Sequence, residues 1–262
     1  MVLRALFSTF LWVSALASPV HDTAIRSIEK RDTPDIRFGD FTPSQQSQIQ
    51  GAFHDALTLA NHARHALTEE SMDKVYSKYF RERDRAKVKG VFDNILGGAT
   101  SVSGSNLLSS IEVVKDFKDP ETNKYHCISR KRQALFYDES KPTMIICPVA
   151  FTSTGGIDRA YGNSAAVTCD TVGDEVSKKM DTMGSTILHE YTHFTSLVVP
   201  PLSSATDDHE NKLHVLPVLA KTGLAVENAE SYTQFANEAL WTIKCGRWFD
   251  DADAESSVEE DC

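Results

Sequence analysis

The sequence of 262 residues predicts one α+β domain that is mostly helical and contains a small β-sheet. Apolar residues recur at helical spacing towards both ends of the chain. Between them, residues 106–151 contain short β-rich runs separated by turn residues. The length is enough for one domain with a sizeable core or at most two small ones, and no internal repeat is visible.

The N-terminal residues have the pattern of an export signal. Arg4 precedes an apolar run over residues 5–16, and Ala15-Leu16-Ala17 is the small-x-small pattern that signal peptidase recognises. The run is too short to span a bilayer, which takes about 20 apolar residues. We therefore predict a signal peptide over residues 1–17 and a secreted, extracellular protein without a membrane partner. The alternative is a retained N-terminal anchor.

A dibasic pair, Lys30-Arg31, follows in a polar stretch without apolar periodicity. Cleavage after it would define a zymogen with a short pro-segment over residues 18–31, whereas the alternative is two ordinary surface cations. Residues 1–31 carry four basic and two acidic side chains, so their removal moves the formal charge from -10 to -12. This acidic balance argues against nucleic acid and anionic membranes as partners, and it favours cationic polypeptide substrates.

Two helices are predicted before residue 100. Thr42-Pro43 supplies a capping hydroxyl and a proline at the first helical position, and apolar residues follow at helical spacing from Ile49 to Ala60. A second helix is predicted over about residues 71–96, with Gly97-Gly98 at its end.

Three short strands are predicted next, over residues 111–114, 134–137 and 144–149. A turn over residues 138–142 separates the last two. Residues 155–174 are polar and are expected to form a loop.

Two further helices complete the predicted domain. One covers about residues 175–198 and is ended by Pro200-Pro201, and the other covers about residues 225–243. These elements define a domain over residues 32–248. The remaining residues, 249–262, carry seven acidic side chains and are expected to form a solvated, partly disordered tail.

Five cysteines are candidates for disulfides in an exported protein, although the odd number leaves one over. They are Cys127, Cys147, Cys169, Cys245 and Cys262. Cys127 and Cys147 could close a hairpin-like segment, whereas the other three allow several pairings. Because no two cysteines are spaced as Cys-x-x-Cys, a zinc site made of thiolates is not expected.

Residues 189–193 read His-Glu-Tyr-Thr-His within a predicted helix. Positions i and i+4 share one helix face, so His189 and His193 can bind a single ion. Imidazoles suit Zn²⁺, and two of them leave room for a third ligand and a water molecule. Glu190 can reach that water as a general base, which predicts one Zn²⁺ per chain and hydrolysis of peptide bonds. The alternative is two ordinary helix histidines.

A third ligand is required, and no His-x-x-Gly-x-x-His extension supplies it. Asp207 and Asp208 lie 14 and 15 residues beyond His193, in a polar loop. Glu230 lies 37 residues beyond His193, on the last predicted helix, where glutamate is a known type of zinc ligand. Helix capping or a solvated turn is the alternative for either aspartate, and orientation of a zinc-bound histidine is the alternative for Glu230.

The segment from Thr143 to Trp241 resembles the deuterolysin-type zinc endopeptidases of fungi, the aspzincins, which include peptidyl-lysine metalloendopeptidases. The segments that carry the resemblance are Ile145-Ile146-Cys147-Pro148, Thr186-Ile187-Leu188-His189-Glu190, Ala205-Thr206-Asp207-Asp208 and Asn228-Ala229-Glu230-Ser231-Tyr232. The resemblance implies a zincin-like metallopeptidase domain with the His-Glu-x-x-His segment on its active-site helix. It also implies Asp208 as the third zinc ligand, at the aspartate of the family's Gly-Thr-x-Asp-x-x-Tyr-Gly motif.

This chain departs from that motif at three positions and is therefore a divergent member. Ala205 and Lys212 replace the two glycines, and Asn211 replaces a tyrosine that stabilises the oxyanion in the family. Tyr232 or His209 could supply a hydrogen bond to the oxyanion or orient a ligand instead. For Tyr232 the alternative is a buried aromatic residue of the last helix.

The sequence as a whole predicts a secreted zinc-dependent endopeptidase that acts as a monomer on polypeptide substrates. The strand over residues 144–149 is expected to line the cleft and to pair with an extended substrate. One alternative is a non-catalytic secreted zinc-binding protein, such as a metal scavenger or a host-interaction effector. Another is a disulfide-stabilised structural protein in which the motif occurs by chance. Glu190 argues against the scavenger, because metal binding alone does not need that carboxylate.

Overall fold

Helices enclose a small sheet in the computed structural model, which describes residues 35–127, 134–138, 140–153 and 167–253. The helices are α1 (Pro43–Ala66), α2 (Asp73–Tyr79), α3 (Arg85–Ile95), α4 (Ala150–Ser153), α5 (Met183–Thr192), α6 (Thr195–Val198), α7 (Leu216–Thr222) and α8 (Ala229–Cys245). The strands are β1 (Arg37–Phe38), β2 (Glu112–Lys115), β3 (Ala134–Asp138) and β4 (Thr143–Ile146). The predicted signal peptide and pro-segment, the end of the tail and Cys262 lie outside the described residues. Within these ranges, no helix is both long and apolar enough to cross a membrane.

α1 lies at the centre of the helical part of the domain. It begins as predicted, because the Thr42 hydroxyl accepts a hydrogen bond from the Gln45 amide while the Gln45 side chain accepts one from the Thr42 amide. Its apolar face is buried from Ile49 to Ala66 and packs against α5, α8 and α3. The helix therefore supplies the platform on which the two later helices rest.

The predicted helix over residues 71–96 is wrong as a single element. α2 and α3 are separated by extended backbone at Phe80 and Arg81. The Phe80 ring is buried, with its centroid 5.1 Å from that of Tyr232 on α8, and the Arg81 guanidinium donates to Asp84 at 2.8 Å. Burial of this ring and pairing of the arginine stabilise the chain more than a continuous helix would. Helical spacing in the sequence does not reveal such tertiary contacts.

The four strands lie in the order β1-β2-β4-β3. β1, β2 and β4 are parallel, whereas β3 is antiparallel to β4, with Leu135 opposite Ile145. All four residues of β4 are buried, and the strand has a partner on each side. The expectation that this segment presents an open edge to the cleft is therefore wrong. Within the described part of the sheet, the two edge strands are β1 and β3.

The helix that carries the His-Glu-x-x-His segment is shorter than predicted. α5 begins after Thr182, which exchanges capping hydrogen bonds with Ser185, and it ends at His193. A separate short helix, α6, follows. The predicted start near residue 175 is wrong, because that stretch forms only the 3₁₀ helix Lys178–Met180.

α5 lies directly against α1 at Gly184. A Cβ atom at this position would collide with the Asp55 Cβ and would lie 3.0 Å from the backbone nitrogen of Ala56. Glycine therefore allows the two helices to approach more closely than a larger residue would. This contact sets the position of the first turn of α5.

Two helices lie after residue 212, where the sequence predicts one. α7 has a proline in its first turn and ends at Gly223, whose φ of 91° is left-handed. The 3₁₀ helix Leu224–Glu227 then leads into α8, which ends at the left-handed Gly246. With seven residues, α7 is too short to show a clear apolar period, which explains why it was not predicted.

Two disulfides join the described cysteines. Cys127–Cys147 is the pair proposed from spacing, and Cys169–Cys245 joins residues 76 positions apart in the sequence. The second bond ties the segment before α5 to the end of α8.

The first residues of the predicted tail belong to the folded domain. Phe249 is fully buried, and its carbonyl accepts a hydrogen bond from Lys78 Nζ at 2.7 Å. The Val176 amide donates to the carbonyl of Asp250 at 3.0 Å. The boundary predicted at residue 248 is therefore too early, and the packed structure continues at least to Asp250.

Candidate metal centre

His189 and His193 lie at the C-terminal end of α5, one helical turn apart. Their ring centroids are separated by 5.0 Å, with the ring planes at 72°. Both side chains are mostly buried but keep some exposure, at 17% and 19%. The helix therefore presents two partly exposed imidazoles on one face.

Asp208 reaches the two histidines from the loop that follows α6. Its Oδ1 lies 2.9 Å from His189 Nε2 and 3.3 Å from His193 Nε2. The loop is fixed to α5, because the Thr206 hydroxyl donates to Thr192 Oγ1 at 2.7 Å and the Thr206 amide donates to the Thr192 carbonyl at 3.2 Å. Three possible ligand atoms thus lie within 4.8 Å of one another.

The second nitrogen of each ring faces a hydrogen-bond acceptor. His189 Nδ1 lies 3.2 Å from Glu230 Oε2, and His193 Nδ1 lies 2.9 Å from the carbonyl oxygen of Thr206. A carbonyl can only accept, so the hydrogen of His193 belongs on Nδ1, and an ionised Glu230 places the hydrogen of His189 on Nδ1 in the same way. This arrangement leaves the Nε2 lone pairs directed towards Asp208.

A positive charge between His189, His193 and Asp208 is electrostatically favoured. Burial lowers the pKa of His189, but the hydrogen bonds with Asp208 and Glu230 outweigh it and raise this pKa to about 10. Hydrogen bonds with His189 and His193 hold the pKa of Asp208 well below its usual range. The same positive charge can come from protons on the imidazoles or from a metal ion.

The donor set fits a zinc ion better than it fits calcium or magnesium. Two imidazoles and one carboxylate, with a position left for water, form a usual ligand set of catalytic zinc sites. Calcium and magnesium instead prefer sites built from oxygen atoms. Acceptors on the outer nitrogens of both histidines are also typical of zinc sites, since they fix the ring orientation and raise the basicity of the ligand.

Glu190 lies beside this cluster and is held by an edge strand of the sheet. Its Oε2 accepts a hydrogen bond from the backbone amide of Phe136 on β3 at 2.7 Å. Burial raises the pKa of Glu190, because its side chain is almost completely enclosed. A carboxylate beside the possible ligands is placed to act as a general base.

Asp207 and Glu230, the alternative ligands, have other contacts. The Asp207 carboxylate accepts a hydrogen bond from the Asp208 amide at 2.8 Å, and the Asp207 backbone pairs with Glu227 and Ala229. Asp207 therefore fixes the loop. Glu230 contacts the outer nitrogen of His189, which is the orienting arrangement that the sequence left open for it.

Neither candidate for stabilising the oxyanion is brought to the cluster by a contact. Tyr232 is fully buried in the aromatic core, and its hydroxyl donates to the carbonyl of Val226 at 3.1 Å. These contacts are those of the buried helix aromatic, the alternative for Tyr232. His209 is exposed in the loop next to Asp208.

Several residues that support the cluster were not singled out from the sequence. They are Phe136, Lys178, Asp181, Thr206 and Gln234. Phe136 and Thr206 make these contacts through backbone atoms, so the type of residue at each position does not predict the contact. The spacing of Glu230 and Gln234, four residues apart on one helix, would have suggested a shared face.

The residues of the site lie within a segment that matches a known family. A model of the HRXXH family, described as "Putative peptidase family", matches residues 41–243. The matched residues include the His-Glu-Tyr-Thr-His segment at 189–193. Among curated proteins, no sequence matches this chain.

The fold is similar to that of a solved zinc peptidase from Grifola frondosa. The two structures superpose with a TM-score of 0.51 and 17% sequence identity, over 76% of this chain and 97% of the other. At this identity the likeness concerns the fold, and it confirms the mostly helical α+β architecture with a small sheet that the sequence predicts. Since the family match spans well over half of the sequence, the chain belongs to the HRXXH family of peptidases.

Proposed function

We propose that this protein is a secreted zinc-dependent endopeptidase in which His189, His193 and Asp208 bind one Zn²⁺ and Glu190 is the general base. The observation that carries the proposal is the position of Asp208, whose carboxylate lies within 3.3 Å of the Nε2 atoms of both histidines. The family match supports peptidase activity. The similar structure is that of a zinc peptidase, which supports zinc as the metal.

Zinc, when bound by these three residues, supplies Lewis-acid chemistry and lowers the pKa of water at the site to about 7. Glu190 takes the proton from the attacking water and passes it to the leaving amine. The Phe136 amide holds Oε2 of Glu190, so we assign the proton transfer to Oε1. His189 and His193 keep their Nε2 atoms available because their Nδ1 hydrogens are bonded to Glu230 and Thr206.

The substrate is proposed to be an extended polypeptide that runs along β3. This strand is one of the two edges of the described sheet, and Phe136 on it contacts Glu190, so a peptide paired with the strand would pass the general base. The acidic balance of the chain favours segments that contain lysine or arginine near the cleft.

Export is part of the same proposal. The signal pattern over residues 1–17 and the dibasic pair at residues 30–31 precede a domain with two disulfides, and disulfides persist in oxidising compartments. The exported protein is proposed to begin at Asp32 and to act as a monomer. N-terminal sequencing and light scattering of the protein recovered from the medium would test both statements.

Substitution Glu190→Gln tests the mechanism. The protein secreted by an expression host should contain one zinc ion and cleave casein, and the variant should keep its zinc but lose activity by about 10²–10⁴-fold, the usual contribution of a general base. Zinc content is measured by atomic spectroscopy and cleavage by release of labelled peptides. Glu121→Gln, which changes an exposed carboxylate, serves as the control and should match the parent protein.

The possible results separate the proposed function from its alternatives. Equal activity in the parent protein and in Glu190→Gln would exclude Glu190 as the base. Stoichiometric zinc without cleavage in either protein would indicate a zinc-binding protein without catalysis. A parent protein that retains no zinc would contradict the proposal as a whole.

A further inference from the structure

Behind His189, at its outer nitrogen, lies a partly buried group of polar side chains. We call it the rear cluster, and its members are Lys178, Asp181, Glu230, Gln234 and Asn237. It joins the 3₁₀ helix before α5 to the first half of α8. The cluster touches the candidate metal site through a single contact, between Glu230 and His189.

The two oxygens of Glu230 have separate partners. Oε1 accepts hydrogen bonds from Lys178 Nζ at 2.6 Å and from Gln234 Nε2 at 3.0 Å. Oε2 lies 3.2 Å from Nδ1 of His189. With Oε1 held by two donors, the carboxylate has one orientation, and in that orientation Oε2 faces the imidazole.

Lys178 also supplies the positive charge of the rear cluster. Its Nζ lies 3.4 Å from Asp181 Oδ2 as well as 2.6 Å from Glu230, so one ammonium group pairs with the buried carboxylate of Glu230 and the partly buried one of Asp181. Gln234 and Asn237 donate to the other oxygen of Asp181, each at 2.8 Å. A buried carboxylate without a counter-charge is costly and moves towards solvent or towards another partner.

We propose that Lys178 is a positioning residue for the zinc site: it fixes the Glu230 carboxylate, and Glu230 in turn fixes the orientation of the His189 ring. This inference rests on the proposed zinc function and adds to it a residue that is in contact with neither metal nor substrate. Groups that orient a metal-bound histidine commonly change metal affinity about 10–100-fold when they are removed. Lys178 acts through one such group, so we expect the lower end of this range.

The test compares Lys178→Met with Lys179→Met. Lys179 is the next residue, is exposed and carries the same charge, so its substitution controls for net charge and for local sequence. The full exported protein is titrated with zinc against a chelator of known affinity. Lys178→Met should bind zinc about tenfold more weakly than the parent protein, whereas Lys179→Met should stay within about twofold.

A double-mutant cycle with Glu230→Gln identifies the route of the effect. If Lys178 acts through Glu230, then Lys178→Met should change zinc affinity by less than about twofold when Glu230 is already glutamine. The visible spectrum of the cobalt-loaded protein gives a second readout, because it reports ligand geometry. Its bands should change in Lys178→Met and in Glu230→Gln but not in Lys179→Met.

The outcomes separate failure of this inference from failure of the proposed function. A parent protein that binds no zinc would contradict both. A parent protein that binds zinc, with Lys178→Met unchanged in affinity and in cobalt spectrum, would overturn the positioning role alone. An undiminished effect of Lys178→Met in the Glu230→Gln background would do the same. Should the methionine variant not fold, as judged by circular dichroism, Lys178→Gln removes the charge but keeps a hydrogen-bond donor.

Discussion

Asp207 and Asp208 are adjacent aspartates with different contacts. The Asp207 carboxylate accepts a hydrogen bond from the amide of Asp208, and its backbone pairs with the segment before α8. The Asp208 carboxylate instead points at His189 and His193. One residue thus holds the loop while the next extends from it, so equivalent changes at the two positions should have different effects.

Asp208→Asn should weaken zinc binding more than about 100-fold, because a direct ligand contributes more than the 10–100-fold typical of the groups that orient ligands. Asp207→Asn should leave zinc affinity within a few-fold of the parent protein, since an asparagine Oδ1 can still accept the hydrogen bond from the Asp208 amide. Zinc competition titrations on both variants measure the difference.

The two asparagine variants have the same change of charge, so each controls for the other. The reverse order of affinities, with Asp207→Asn the weaker zinc binder, would make Asp207 the ligand and Asp208 the residue that holds the loop.

At the scale of the elements, the position of α5 depends on its contact with α1. The capping bonds between Thr182 and Ser185 fix where α5 begins, and Gly184 in its first turn lets it approach the backbone of α1 at Asp55 and Ala56. His189 and His193 lie at the other end of the same helix. A shift of α5 on α1 would therefore be transmitted to both imidazoles.

Gly184→Ala should destabilise the protein by about 1–3 kcal/mol, the usual cost of adding a methyl group to a packed interface. The added Cβ would meet backbone atoms of α1, which cannot rotate away as a side chain could. Chemical denaturation followed by circular dichroism measures the change in the free energy of unfolding.

Gly51→Ala on α1 is the matched control, because a Cβ at Gly51 meets no atom within 4 Å. This change should stabilise the protein by about 0.5–1 kcal/mol, since alanine is the better helix former. A Gly184→Ala protein as stable as the parent would show that the helices are not held together at this point.

The sequence predicts the existence of the major elements better than it predicts their limits. The start of α1 was predictable because Thr42-Pro43 is a local capping signal. The break at Phe80 was not, because it depends on an aromatic contact with α8. The order of the strands was not predictable either, since pairing across a sheet is not encoded by period, and the open edge was assigned to β4 instead of β3.

The candidate site shows the same division. The spacing of His189 and His193 on a helix predicts their convergence, and the family resemblance nominates Asp208. The rear cluster and the Phe136 amide come from segments distant in sequence, and only the folded chain shows that they meet the site.

At the scale of the whole molecule, the Cys169–Cys245 disulfide joins two positions between which most residues of the site lie in the sequence. Its half-cystines are 76 positions apart, and α5, the Asp208 loop and the first part of α8 all lie between them. The Cys127–Cys147 disulfide spans only 20 positions. The two bonds should therefore contribute differently to stability.

We assume that each bond stabilises the protein by restricting the unfolded chain. Replacing Cys169 and Cys245 together by serine should then lower the free energy of unfolding by about 4.5 kcal/mol. Replacing Cys127 and Cys147 together should lower it by about 3.3 kcal/mol. Thermal unfolding shows which of the two double variants is the less stable. The opposite order would indicate that contacts in the folded state, and not the loop length, determine the contribution of each bond.

The Cys169–Cys245 bond also bears on how the protein survives among other proteases. A cut in an exposed loop between these residues, such as the one around His209, would leave two chain fragments joined by sulfur. The histidines and Asp208 would then belong to one fragment and Glu230 to the other, and the two fragments could not diffuse apart. A nicked molecule of this kind would run as one species on a non-reducing gel and as two after reduction, and reduction would disperse the residues of the site.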